Sequence, residues 1–158
     1  MLGSRVLITG EPKGRVVEGI VSGTPSPGTV MQIAAATEPV QGDYTWEVFN
    51  ADADGDRRLI AVLLERGEGY TYETAYEDGH KAFLYIPLPG DELNMLVRAA
   101  GTATSDSQAI GDLFIVDDAT GLLVATTGDP ESEPFVCMET LTDVVTGGTM
   151  THVMYTGH

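Results

Sequence analysis

The chain has 158 residues, 42% of them hydrophobic, and a formal net charge of −16. That composition excludes a disordered polypeptide and describes one domain that needs neither disulfide nor metal to form its core. So acidic a surface repels phosphate backbones, which argues against nucleic-acid binding, and no stretch is long and apolar enough for a membrane span.

Short β-rich runs follow one another along the chain: "RVLIT" (5–9), "VVEGIVS" (16–22), "TVMQIAA" (29–35), "YTWEVFN" (44–50) and "RLIAVLL" (58–64). "KAFLYIP" (81–87), "DLFIV" (112–116), "LLVAT" (122–126), "PFVCME" (134–139) and "MTHVMY" (150–155) continue the series. Val, Ile, Thr, Tyr and Phe fill these runs, and Gly, Pro and Asp clusters punctuate them. In "YTWEVFN" the alternation puts Tyr44, Trp46 and Val48 on one face and Thr45, Glu47 and Phe49 on the other. Several other runs are apolar throughout, as strands buried on both faces are. "VDDATGLL" reads as a hairpin reversed at Gly121. Two segments read as short helices: 72–79, and 90–101 with Asp91 and Glu92 at its start, Arg98 near its end and an apolar stripe of Leu93, Leu96 and Val97. No internal repeat is visible. The expected fold is mainly β: a compact barrel- or sandwich-like domain over 16–158, with one or two short helices and an N-terminal arm over 1–15.

The candidate chemical motifs are weak. From Asn50 the chain reads N-x-D-x-D-G, with oxygen ligands at Asn50, Asp52 and Asp54 and a turn glycine at Gly55, like the start of a calcium loop. A calcium loop of this type needs a bidentate carboxylate at its twelfth position, which here is Ala61, and Arg57 and Arg58 put two cations inside it. Asp43 or Glu65 would have to complete the set from elsewhere. An acidic turn is the simpler reading, and no metal is expected. No nucleophile elbow, phosphate loop or zinc spacing occurs, and His80, His152 and His158 form no ligand motif. Cys137, the only cysteine, stands in an apolar run and reads as a buried thiol. The expectation is a protein without catalytic residues or cofactor. Tyr44, Trp46, Tyr70, Tyr72, Tyr76 and Tyr85 are enough for a sugar-stacking platform, although core packing is the commoner fate of such residues.

Charge is unevenly spread. Arg5, Lys13 and Arg15 are three of the eight basic residues, whereas 99–158 holds nine acids and no Lys or Arg. The first fifteen residues lack the apolar core and cleavage site of a secretory signal.

Whole segments resemble the head decoration, or capsid cement, proteins of tailed bacteriophages. "EGIVSGTPSPGTVMQIAAATEP" (18–39) is similar to their opening. In 61–97 Glu65 follows a strand, a Y-x-x-G step spans Tyr76 to Gly79, and a P-x-P-G-D step spans Pro87 to Asp91. "AIGDLFIVDDATGLLVATTGDPESEPFVCMETL" (109–141) resembles the closing pattern. The resemblance implies a structural virion protein on the outer surface of the head, a homotrimer that clamps neighbouring major capsid subunits after the shell expands. With it, the charge map makes the N-terminal arm the expected capsid contact: Arg5, Lys13 and Arg15 by charge, and Val6, Leu7 and Ile8 by pairing as a strand with a capsid edge. An ordinary strand of the protein's own sheet is the alternative for 5–9. The competing function is a carbohydrate-binding β-sandwich module, aromatic or calcium-assisted, and a contact with host glycans is compatible with both.

Overall fold

In a computed structural model, the described residues are 6, 13–34, 43–50, 59–65, 74–98, 110–117, 120–126, 135–145 and 148–157. Ten strands run through them: β1 (Arg15–Val21), β2 (Val30–Ile33), β3 (Thr45–Val48), β4 (Ile60–Leu63), β5 (Lys81–Ile86), β6 (Glu92–Arg98), β7 (Leu113–Val116), β8 (Leu123–Thr126), β9 (Phe135–Val145) and β10 (Gly148–Tyr155). The fold is mainly β, as the sequence implies, and no helix occurs among the described residues.

The expected helix over 90–101 is instead β6. Its Leu93, Met95 and Val97 are buried at a spacing of two, the period of a strand. Leu96 on the opposite face is buried as well, and this second apolar contact imitates a helical stripe. The described part of the other helix candidate, 74–79, is turn and irregular chain ending at Gly79, whose φ is 77°.

The strands close into two five-stranded barrels, β1-β3-β2-β4-β5 and β10-β6-β8-β7-β9. The two have one topology. In each, the first and third strands pair in parallel and every other pairing is antiparallel. The registers agree all the way round. Val21 lies beside Trp46 as Val97 lies beside Leu123, and Met31 beside Val48 as Phe114 beside Ala125. Gly19 lies beside Ala82 as Met95 lies beside Thr151, and Leu63 beside Leu84 as Cys137 beside Val153.

The same turn precedes the second strand of each. Gly28 N donates to Leu63 O (2.8 Å) and Leu63 N to Thr29 O (3.0 Å); Gly111 N donates to Cys137 O (2.8 Å) and Cys137 N to Asp112 O (2.8 Å). Both glycines have positive φ, 86° and 96°, a region costly for residues with a Cβ. The chain is thus a tandem repeat in space that the sequence does not show. The connections differ too much for a period to survive: β4 and β5 are joined by 64–80, β9 and β10 by 146–147 alone.

Matching positions fill both interiors, as small barrels require. Val21, Met31, Trp46, Leu63 and Leu84 form the first core; Val97, Phe114, Leu123, Cys137 and Val153 stand in their places in the second. Volumes are balanced locally. Trp46 has Gly19 as its neighbour, where Leu123 has Met95. Ala61 is small where Phe135 is large, and Tyr76 from the β4–β5 connection enters the first core.

The barrels pack against each other at β2 and β4. Val30 and Val62, on the outer face of β2 and β4, are fully buried in the cluster that continues through the second barrel. These strands are therefore covered on both faces, which is why their sequences are apolar apart from Gln32, whose amide donates to Glu47 Oε1. At the seam Val30 N donates to Gly121 O (2.8 Å) and Leu96 N to Gly28 O (3.2 Å). Gly121 is the turn of the expected β7–β8 hairpin, and a Cβ there would lie 2.6 Å from Val30 O, so the close approach requires glycine.

Candidate functional site

The N-terminal segment is the candidate contact surface. Of its expected contact residues, Val6, Lys13 and Arg15 are described; Arg5, Leu7 and Ile8 lie outside the described residues. Lys13 and Arg15 are exposed. Val6 is fully buried. Its N–H donates to Glu65 Oε1 (3.0 Å) and its carbonyl accepts from Asn94 N (2.7 Å), so it bridges the end of β4 to β6. Val6 is therefore part of the protein's own packing, and among the described residues of this segment Lys13 and Arg15 are the exposed cations.

Asp91 fixes where those cations stand. The P-L-P-G-D turn delivers its carboxylate, fully buried, to four donors: Lys13 N (2.9 Å), Gly14 N (3.0 Å), Leu88 N (2.8 Å) and the Tyr85 hydroxyl (2.7 Å). The Tyr85 oxygen in turn accepts from Gly14 N (2.7 Å). A buried carboxylate persists only when its lone pairs are satisfied, and this one binds three chain segments at once. Burial pushes the Asp91 carboxyl upward, but the bonds from Tyr85, Leu88, Lys13 and Gly14 outweigh it and hold the group below its ordinary value. Burial, and then the hydrogen bond to Asp91, raises the Tyr85 hydroxyl. The sequence marked Asp91 as a helix start and as the end of the P-x-P-G-D step. The better signal was the P-x-P-G-D step itself, a turn ending in a carboxylate.

The other residues of the resemblance have comparable structural roles. Glu65 holds Val6. The Tyr76 hydroxyl donates to Leu64 O (2.9 Å) from a buried position. Gly79 turns with positive φ and donates to Val21 O (2.8 Å).

The remaining candidate sites do not assemble. Asn50 is exposed, and Asp52 and Asp54 lie outside the described residues. Asp43, a possible fourth carboxylate, pairs with Lys81 Nζ at 3.1 Å, which raises the lysine. His80 lies 3.3 Å from Glu77 and His152 lies 3.0 Å from Glu92; His158 is outside the described residues. Among the described residues no group of three or more metal-ligating side chains converges, and no helix is long and apolar enough to cross a membrane. Trp46, Tyr76 and Tyr85 are buried, so they offer no face to a sugar; Tyr44 is exposed, and Tyr70 and Tyr72 are outside the described residues. Cys137 is buried in the second core. A groove of about 320 Å³ runs along the seam between the barrels, with Thr24, Ser26, Thr29 and Thr120 among its lining residues. Comparison with known protein families finds no match, and neither does comparison with curated proteins.

Proposed function

We propose that this chain is a structural protein that decorates the outer surface of a tailed-bacteriophage head, binding as a homotrimer and clamping neighbouring major capsid subunits of the expanded shell. The observation that carries the reading is the use the fold makes of the residues on which the resemblance rests. Glu65, Tyr76 and Asp91 each make a hydrogen bond that ties separate segments together. The residues that carry the resemblance are thus ones that this fold uses. Two small closed barrels leave few strand edges open, which suits a protein displayed at high density on a particle. An acidic coat keeps such particles mutually repulsive.

Docking runs through the N-terminal segment. Asp91 holds the backbone of Lys13 and Gly14, so the exposed side chains of Lys13 and Arg15 leave a rigid base and approach an acidic shell surface without much further loss of entropy. Three linked contacts of this kind act at high effective concentration and give tight attachment from weak parts.

The test is co-sedimentation of the purified protein with undecorated heads, expanded and unexpanded. Binding to the expanded form alone, weakened by salt and by Lys13→Glu/Arg15→Glu, is the expected result. Absence of binding to expanded heads would overturn the proposal.

A further inference from the structure

β1 and β5 pair in unbroken register from Arg15 beside Ile86 to Ile20 beside Lys81. Val17, Val21, Ala82, Leu84 and Ile86 pack into the first core, so the alternation turns Val16, Glu18 and Ile20 of β1, and Lys81 and Phe83 of β5, outward. Tyr85 shares this outer face but is buried where it bonds Asp91. Val16 lies beside Tyr85 and Glu18 beside Phe83, which makes Val16 and Phe83 diagonal neighbours. Val16 is 49% exposed and Phe83 43%, with Ile20 half-buried on the same face. Contiguous apolar surface rimmed by polar residues marks a contact site.

The charge around this pair reverses that of the chain. Residues 13–21 and 81–86 hold three bases, Lys13, Arg15 and Lys81, and one acid, Glu18, in a chain of eight bases and 24 acids. All three bases are exposed. Lys81 pairs with Asp43 at 3.1 Å. Lys13 and Arg15 stand just ahead of Val16, on backbone that Asp91 fixes.

We propose that the outer face of β1 and β5 is the docking face for the phage shell: Val16 and Phe83 enter an apolar recess on an acidic surface of the major capsid subunits, and Lys13 and Arg15 form the charged rim. The proposal rests on the decoration reading and adds the centre of the contact to its edge. An acidic partner is the occupant because the face is locally basic, whereas a second copy presenting the same face would set cations against cations. An aromatic centre within a polar rim is the usual anatomy of a protein interface. The rim steers the approach and is screened by salt; the apolar centre is not.

The test is co-sedimentation of the full chain with undecorated expanded heads at low and at high salt. Val16→Thr/Phe83→Thr keeps β-branched residues on both strands, and circular dichroism checks its fold. It binds about tenfold more weakly than the wild type, by the same factor at both salt concentrations. Lys13→Glu/Arg15→Glu loses affinity at low salt and much less at high salt. Ile110→Thr, at a position 77% exposed ahead of β7, binds as the wild type does. If the threonine variant does not fold, Phe83→Val takes its place, with a smaller loss that is again independent of salt. A folded threonine or valine variant that binds as tightly as the wild type would overturn the proposal and leave head binding standing. A wild type that does not bind expanded heads would overturn both. Self-association of the free protein that the threonine variant abolishes, with head binding unchanged, would make a second copy the occupant and overturn the proposal too.

Discussion

The Tyr85 hydroxyl donates to Asp91 Oδ2 across 2.7 Å, joining the end of β5 to the turn that opens β6. The pair sits beside Lys13 and Gly14, so the junction between the barrels and the base of the candidate contact segment depend on one carboxylate.

Asp91→Ala removes the acceptor for four donors, and the expected cost is on the order of 3 kcal/mol in urea unfolding. Asp91→Asn keeps the shape and loses the charge, and it is expected to lie between. The sign of the pH dependence follows from the lowered carboxyl. A depressed value in the folded state gives stability that is present above the ordinary value of 3.8 and lost as pH falls through the folded one. The difference between wild type and Asp91→Asn should therefore be largest near neutral pH and narrow below about pH 4. A difference that stays constant down to pH 2 would contradict this role.

Gly19→Ala places a Cβ 2.3 Å from Trp46 Cδ1 and 3.0 Å from Tyr44 O. Overpacking of this kind costs about 1–3 kcal/mol. The second barrel supplies the compensation, since a larger residue at the matching place, Met95, goes with Leu123. Gly19→Ala/Trp46→Leu should be more stable than the sum of the two single changes requires, a coupling that a double-mutant cycle by chemical denaturation measures. Strict additivity would mean that the two residues do not share one volume.

Calcium calorimetry on the purified protein should give no binding heat beyond dilution, before or after chelation. Asp52→Ala/Asp54→Ala should behave as the wild type. Ala61 at the twelfth position lies in β4, where it is fully buried in the first core, so it supplies no oxygen to such a loop.

Most strands were legible because their apolar runs end at glycine, proline or aspartate; "VVEGIVS" and β1, or "KAFLYIP" and β5, agree to within a residue at each end. β6 was not, because Leu96 faces the other barrel and turns a strand's alternation into an apparent helical stripe. The pairing of β1 with β3 and the doubling of the barrel leave no mark in the order of residues. They depend on contacts between segments whose connecting loops differ in length from one half to the other. Of the candidate contact surface, the cluster of cations could be read directly. The carboxylate beneath it could not, since nothing local connects Asp91 to Lys13, which lies 78 positions away in the chain.

Clamping of the expanded shell is the central claim, and the thermal release of DNA from filled, undecorated heads measures it most directly. Added protein at saturating occupancy should raise the release temperature, with Lys13→Glu/Arg15→Glu requiring more protein for the same effect. Protein that coats the heads and leaves the release temperature where it was would contradict the account.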